Sequence, residues 1–199
     1  AAQLPVDVLT LYAFSSDNWA RPSAEVRALF GLLKRYLRSE SSRCAEQGVA
    51  VRVLGRRDRL GDDLIRLIEH TEQLTCRGSS LRLQIAADYS SRDQIMRAVR
   101  SSDKHALEPE SFGCLLDGFS ENDGATCDVD LLIRTGGEQR LSDFMLWECA
   151  YAELLFVDKF WPDFAEQDLR SALTEYARRD RRFGRLSAAV TPELTAERS

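Results

Sequence analysis

Histidine is nearly missing from this chain. His70 and His105 are the only two in 199 residues, and neither lies beside a plausible nucleophile or within a ligand-like cluster. Ser-His-Asp hydrolysis and histidine-ligated metal chemistry are therefore not indicated. Paired cysteines are missing as well. Cys44, Cys76, Cys114, Cys127 and Cys149 form an odd, scattered set without a Cys-x-x-Cys, which fits reduced thiols in a cytosolic protein and neither a disulfide framework nor a zinc site. No stretch approaches the roughly 20 apolar residues of a spanning helix, and nothing at the N-terminus resembles a signal peptide. A Gly-x-x-x-x-Gly-Lys loop is absent, which argues against a nucleotide-binding hydrolase. A net charge of −5 supplies no general positive field for nucleic acid, so any anion site must be local.

What is present points to an α/β domain. At 199 residues, 44% hydrophobic and 30% charged, the chain is long enough for one substantial core and short for two. Val6 to Ala13 is β-branched, aliphatic and aromatic, which predicts a buried strand. Pro22 and Ser23 then precede a helical pattern running to about Gln47, with apolar residues at Val26, Leu29, Phe30, Leu33 and Leu37 and a stop at Gly48. Further strands are predicted over Val49 to Leu54, Leu81 to Ala87, Val129 to Ile133 and Leu154 to Val157. Helices are predicted over Asp62 to Cys76, Arg92 to Arg100 and Asp143 to Ala150, with a short one near Phe112 to Leu116 and a last one from Asp163 to about Arg181. Alternation of this kind implies a single domain over residues 1–184, built on a mostly parallel central sheet with helices on both faces. Residues 185–199 read as a disordered tail.

The stretch Asp130-Leu131-Leu132-Ile133-Arg134-Thr135-Gly136-Gly137-Glu138-Gln139-Arg140 carries the chemistry. A short apolar strand opens into two arginines flanking paired glycines, and Ser142 adds a hydroxyl. Guanidinium groups grip phosphate oxygens through paired hydrogen bonds, and glycine permits close backbone approach. A strand-to-helix turn with surface arginines would give the same spacing. In a parallel sheet, however, the loops Ser15 to Arg21, Asp88 to Arg92 and Arg134 to Ser142 all leave the carboxyl ends of strands, where ligands bind.

Those loops also resemble a known family. Tyr12-Ala13-Phe14-Ser15-Ser16-Asp17-Asn18-Trp19 with Arg21-Pro22, the block Leu131 to Arg140, and Tyr151-Ala152-Glu153-Leu154 followed by Trp161-Pro162-Asp163-Phe164 are similar to the cis-prenyltransferases, the undecaprenyl diphosphate synthase family. Arg178 to Gly184 is similar to its C-terminal pattern. The resemblance implies a homodimeric enzyme that uses Mg²⁺ to condense isopentenyl diphosphate with an allylic diphosphate, farnesyl diphosphate or shorter, giving a Z-polyprenyl diphosphate and pyrophosphate. It implies that Arg134, Arg140 and Ser142, with Gly136 and Gly137, hold the isopentenyl diphosphate headgroup, and that Glu153 helps hold the metal. Ser15, Asn18 and Trp19 would be catalytic and Arg21 substrate-binding, between the two headgroups. The long helix would border a hydrophobic tunnel through the small residues Ala24, Ala28 and Gly31 and the bulkier Leu32 and Tyr36. A cytoplasmic protein, touching the membrane through its lipid product, is the implied setting.

Several departures accompany the resemblance. The family's Asp-Gly-Asn-x-Arg-Trp loop, which supplies the principal metal ligand and ends a central strand, is absent from this sequence, so a gap and an unpaired edge are expected in the sheet. The expectation is that this block lies upstream of Ala1. The alternative is a non-catalytic partner subunit that donates its Arg-x-Gly loop across a dimer interface. Asp17 replaces a glutamate, Gln139 sits where several members have histidine, and Asp88-Tyr89-Ser90-Ser91-Arg92 replaces Asn-Tyr-Gly-Gly-Arg. A carboxylate at Asp88 is expected to disfavour phosphate nearby, and the two serines to hold the backbone farther from a ligand.

Overall fold

A computed structural model describes residues 4–101, 112, 113, 115, 116 and 128–179. The order of elements is β1 (Val8–Ser15), a 3₁₀ turn (Ser16–Ala20), α1 (Ser23–Glu46), β2 (Val49–Leu54), α2 (Asp62–Thr75), β3 (Leu81–Tyr89), α3 (Ser91–Ser101), β4 (Leu131–Thr135) and β5 (Glu153–Val157). A second 3₁₀ turn (Trp161–Asp163) and α4 (Glu166–Arg178) follow. The α/β alternation read from the sequence is what the chain adopts. Residues 112, 113, 115 and 116 are helical, as expected there, whereas the 185–199 tail and most of the Arg178 to Gly184 pattern lie outside the described residues.

Among the described residues all strand pairing is parallel, in two groups. β3 sits between β1 and β2, with Val8 opposite Arg82 and Val49 opposite Leu81. β4 pairs with β5, Leu131 opposite Glu153 and Thr135 opposite Val157. Among the described residues the central sheet expected from the sequence is thus divided, with β1 and β4 each laddered on one side only. Burial follows position: the last four residues of the central strand β3, Ala86 to Tyr89, are all but fully enclosed. The strand β2 receives partners from α2, since Val51 N–H donates to Thr75 Oγ1 at 3.0 Å and Val53 N–H to Glu72 Oε1 at 2.9 Å. Such side-chain partners blunt a strand that would otherwise offer free backbone groups.

Helix α1 packs through the stripe Val26, Phe30, Leu33 and Leu37, which meets α2 through Leu64 and Ile68. At 3.6 residues per turn, Ala28, Leu32 and Tyr36 fall on the far side, and Leu32 and Tyr36 are 51% and 69% exposed. Ala24 and Ala28 are exposed too. The tunnel-bordering role expected of those four residues is therefore corrected: of the expected set, Gly31 alone lines the groove beneath α1.

Two further expectations change. Asp143 to Ala150 is a series of turns rather than a helix, because Ser142, Asp143 and Met145 take positive φ values of 51°, 60° and 45°, a left-handed path that no α-helix accommodates. Asp163 belongs to the second 3₁₀ turn instead of capping the last helix. The described residues from Ala165 to Arg179 belong to a separate compact unit. Within it, Asp168 accepts the Ala165 N–H at 2.7 Å and so caps α4, whose exposed face carries Arg170–Glu166 and Arg179–Glu175 pairs. Among the described residues no helix is long and apolar enough to cross a membrane.

Candidate active site

The loops after β1, β3 and β4 meet, as the topology requires. Ser16 Oγ, just past β1, donates to Asp88 Oδ1 at 3.1 Å. Ser90 Oγ, just past β3, donates to Asp143 Oδ2 at 2.5 Å. The Tyr12 ring stacks on Phe144 with centroids 4.4 Å apart, and its hydroxyl donates to the Ser142 carbonyl at 3.2 Å. Burial raises the Tyr12 phenol above its usual pKa of 10, so that donor stays protonated through neutral pH.

The β1 loop is locally rigid. Ser15 caps the 3₁₀ turn: its Oγ accepts the Asp17 N–H at 3.1 Å, and its own N–H donates to Asn18 Oδ1 at 3.0 Å. This reciprocal pairing satisfies the turn's free donors and fixes Asn18 with its amide nitrogen turned away from Ser15. Trp19 packs edge-on against Phe14 and obliquely on Phe30, while the Arg59 guanidinium lies 5.3 Å from its ring centre. Its buried Nε1 has no acceptor among the described residues. Arg21 pairs with Glu25 at 2.6 Å, both side chains about half exposed.

At the β4 end, Arg134 Nη1 donates to Ser142 Oγ at 3.0 Å, which brings together two residues expected to share one headgroup. Arg140 pairs with Glu138 on the same loop. Exposed pairs of this kind contribute little to stability, so a phosphate can replace Glu138 and Glu25 at low cost. Gly136 and Gly137 follow left-handed backbone at φ 87° and 73°, a path only glycine takes freely. Their N–H groups donate to the carbonyls of Lys159 and Val157. The glycines thus shape the loop and dock it on the end of β5 and the residues just after it, rather than holding free donors toward a ligand as the sequence suggested.

Glu153 heads β5, opposite Leu131, whereas Arg134 lies opposite Phe156. Three positions of a strand span roughly 10 Å, so Glu153 is at the other end of the β4–β5 pair from the arginine loop. Mg²⁺ favours carboxylate and phosphate oxygens in an octahedral shell. Among the described residues no three His, Cys, Asp or Glu side chains gather as a metal site. Glu153 alone does not constitute such a site.

Beneath the β1 loop a groove of about 360 Å³ runs between α1 and α2, walled by Trp19, Val26, Phe30, Gly31, Leu60 and Leu64, with Arg27, Lys34 and Arg59 at its rim. Trp19 belongs both to the loop and to the groove. An apolar channel opening at a polar, arginine-bearing mouth suits a molecule with a hydrocarbon tail and an anionic head.

The residues that sequence reasoning missed are Arg59, Asp143 and Tyr12. Asp88 is fully buried, and both its oxygens receive the Arg59 guanidinium, with Arg59 Nε 2.9 Å from Oδ2. Its negative charge is spent internally, which corrects the expectation that it repels phosphate. The signal was present: an acid closing the central strand needs a cation, and Arg56-Arg57-Asp58-Arg59 follows the neighbouring strand. Ser90 and Ser91 likewise turn their hydroxyls toward Asp143 and Leu146 rather than toward a ligand.

Comparison with known proteins settles the family. The Prenyltransf family model, that of undecaprenyl diphosphate synthase, matches residues 1–184. The chain belongs to the undecaprenyl diphosphate synthase family. It is 48% identical over 190 residues to isoprenyl transferase 1 of Bradyrhizobium diazoefficiens, covering 95% of this chain and 76% of that protein. To the isoprenyl transferase of Aquifex pyrophilus it is 43% identical over 191 residues, covering 94% and 80%. A crystal structure of lavandulyl diphosphate synthase from Lavandula x intermedia, in complex with dimethylallyl diphosphate, superposes with a TM-score of 0.85 at 31% identity, covering 92% of this chain and 81% of that one. A probable undecaprenyl diphosphate synthase from Campylobacter jejuni superposes at 0.83 with 32% identity, covering 92% and 86%. Undecaprenyl diphosphate synthases are prenyl-transferring enzymes, and their fold is the one found here.

One thiol beside the site provides a chemical check. Cys149 packs with Leu132 and Met145, and burial, helped by Glu148, pushes its pKa up to about 12. Cys76 is exposed. Since the thiolate is the reactive form, a disulfide reagent at pH 8 is expected to modify Cys76 in the native protein and leave Cys149 untouched, as read by peptide mass. Equal labelling of both would show that the Leu132–Met145 cluster does not enclose Cys149.

Proposed function

We propose that this family member condenses isopentenyl diphosphate with an allylic diphosphate, farnesyl diphosphate or shorter, to give a Z-polyprenyl diphosphate and pyrophosphate. The new bond joins the primer's C1 to the terminal methylene carbon of the C5 unit; the primer's diphosphate leaves with its bonding pair, and one proton is lost from the C5 unit. The observation that carries this reading is the contact of the Arg134–Ser142 pair with Tyr12 of β1, the strand whose following turn carries Trp19 onto the apolar groove. In this reading Arg134, Arg140 and Ser142 hold the C5 diphosphate by charge-assisted bonds, with Gly136 and Gly137 shaping their loop. Arg21, Ser15, Asn18 and Trp19 flank the reacting carbons. The growing chain enters the groove, where each methylene taken from water is favourable by about 0.8 kcal/mol.

The one-sided pairing of β1 and of β4 among the described residues suits a further strand ending in the Asp-Gly-Asn-x-Arg-Trp loop, and that loop belongs to the proposal together with Mg²⁺; Glu153, at the opposite end of the β4–β5 pair from the arginine loop, is left out of this chain's headgroup site. So do homodimer assembly, a cytoplasmic setting and contact with the membrane through the lipid product.

The test is incorporation of labelled isopentenyl diphosphate in magnesium buffer with farnesyl or dimethylallyl diphosphate, using protein that carries any segment encoded upstream of Ala1. Product extractable into organic solvent, with Z double bonds by NMR, is expected. Failure with both primers would overturn the catalytic reading and favour a non-catalytic partner subunit.

A further inference from the structure

We propose that the turn from Asp88 to Arg92 is a positioning clasp that holds the two halves of the site in register, and that Ser90 and Ser91 act through it on the headgroup loop. This inference rests on the function proposed above and deepens it.

The clasp has two jaws. Toward the β1 loop, Asp88 sits in a left-handed conformation at φ 52°, which a short polar side chain tolerates. There its carboxylate takes the Ser16 hydroxyl and the Arg59 guanidinium together. Arg59 in turn covers the Trp19 ring. One buried acid thereby ties the loop that bears Ser15, Asn18 and Trp19 to the carboxyl end of the central strand.

Toward the β4 loop, Asp143 is gripped at three points. Its Oδ2 accepts the Ser90 hydroxyl at 2.5 Å, its Oδ1 accepts the Arg92 N–H at 3.1 Å, and its carbonyl accepts the Ser91 N–H at 3.0 Å. Ser91 Oγ, buried at 1% exposure, accepts the Leu146 N–H at 3.0 Å. These bonds hold Ser142 and Asp143 in left-handed backbone that neither prefers. Ser142 is the residue whose hydroxyl receives Arg134. Remove the bonds, and the turn relaxes toward ordinary φ, carrying the Ser142 hydroxyl away from the guanidinium. Paired glycines at 90 and 91 supply no hydroxyl to either contact, so the serines confer a restraint that the Asn-Tyr-Gly-Gly-Arg pattern lacks.

The test measures both turnover and equilibrium binding. Ser91→Ala and the pair Ser90→Gly with Ser91→Gly are compared with wild type for KM toward each substrate, kcat, calorimetric binding of isopentenyl diphosphate, and melting temperature. Ser90 also accepts the Asp93 N–H at the start of α3, so Ser90→Thr, which keeps cap and contact, is the rescue variant. About a tenfold rise in KM and Kd for isopentenyl diphosphate is expected in the Ala and Gly variants, the effect of one or two lost hydrogen bonds. KM for the allylic primer should stay within about twofold, with Ser90→Thr at wild-type values. A purely structural role would lower the melting temperature and move both KM values alike, and that result overturns the clasp. Unchanged kinetics in a folded variant overturns it as well. If wild type itself neither binds nor incorporates isopentenyl diphosphate, the proposed function is what has failed, and the inference falls with it.

Discussion

Arg134→Ala is expected to lower kcat/KM for isopentenyl diphosphate by about 10- to 150-fold while leaving the melting temperature nearly unchanged. A hydrogen bond to a charged group contributes roughly 1.5–3 kcal/mol, which converts to that range. Arg134 is half-buried, and its guanidinium donates to the neutral hydroxyl of Ser142, so its loss strands no buried charge there. Arg134→Lys keeps the charge and loses the planar fork, and should recover part of the loss. The measurement is steady-state incorporation at varied isopentenyl diphosphate, alongside thermal unfolding. Wild-type kinetics in Arg134→Ala would remove the residue from the headgroup site and with it the main support for the proposed reaction.

Gly55→Ala should be the most damaging single substitution to the fold. Gly55 leaves β2 at φ 115°, and a Cβ there would stand 2.1 Å from the Ala87 carbonyl oxygen and 2.9 Å from that of Asp88. Those atoms belong to buried backbone of the central strand and cannot swing aside as a flexible side chain would. Backbone strain with overpacking of this kind costs about 3 kcal/mol or more. For a chain of this size that corresponds to a fall in melting temperature of roughly 6–12 °C. The same displacement would shift Asp88 and hence the Arg59 contact, so activity should fall further than stability accounts for. A melting temperature within about 2 °C of wild type would mean that β2 and β3 do not approach as closely as described.

Much of the candidate site could be grouped before the fold was known. Arg134, Arg140 and Ser142 lie within nine residues, and Ser15, Asn18, Trp19 and Arg21 within seven; each set occupies one loop, so local spacing was enough to group them. Element boundaries came close for the same reason, since α1 ends two residues before Gly48 and β2 spans Val49–Leu54 as read. Asp88 was misjudged because its partner Arg59 is 29 residues away in sequence. The direction of α1 was misjudged because small residues at Ala24 and Ala28 fit a groove wall and a solvent face equally well in one dimension. The Asp143 to Ala150 turns were hidden because their helical composition is overridden by the Ser90, Ser91 and Arg92 contacts.

By itself the sequence determined the alternation of strands and helices and the family, and it grouped the arginines and serines proposed here to face a diphosphate, since periodicity and short motifs are properties of neighbouring residues. Only the tertiary structure decided which face of α1 lines the groove, that the parallel strands divide between β1 and β4, and that Asp88 pairs with Arg59 while Asp143 takes Ser90 and the Arg92 N–H. Those outcomes depend on which distant groups the chain brings within hydrogen-bonding reach, and burial then assigns each charge its partner.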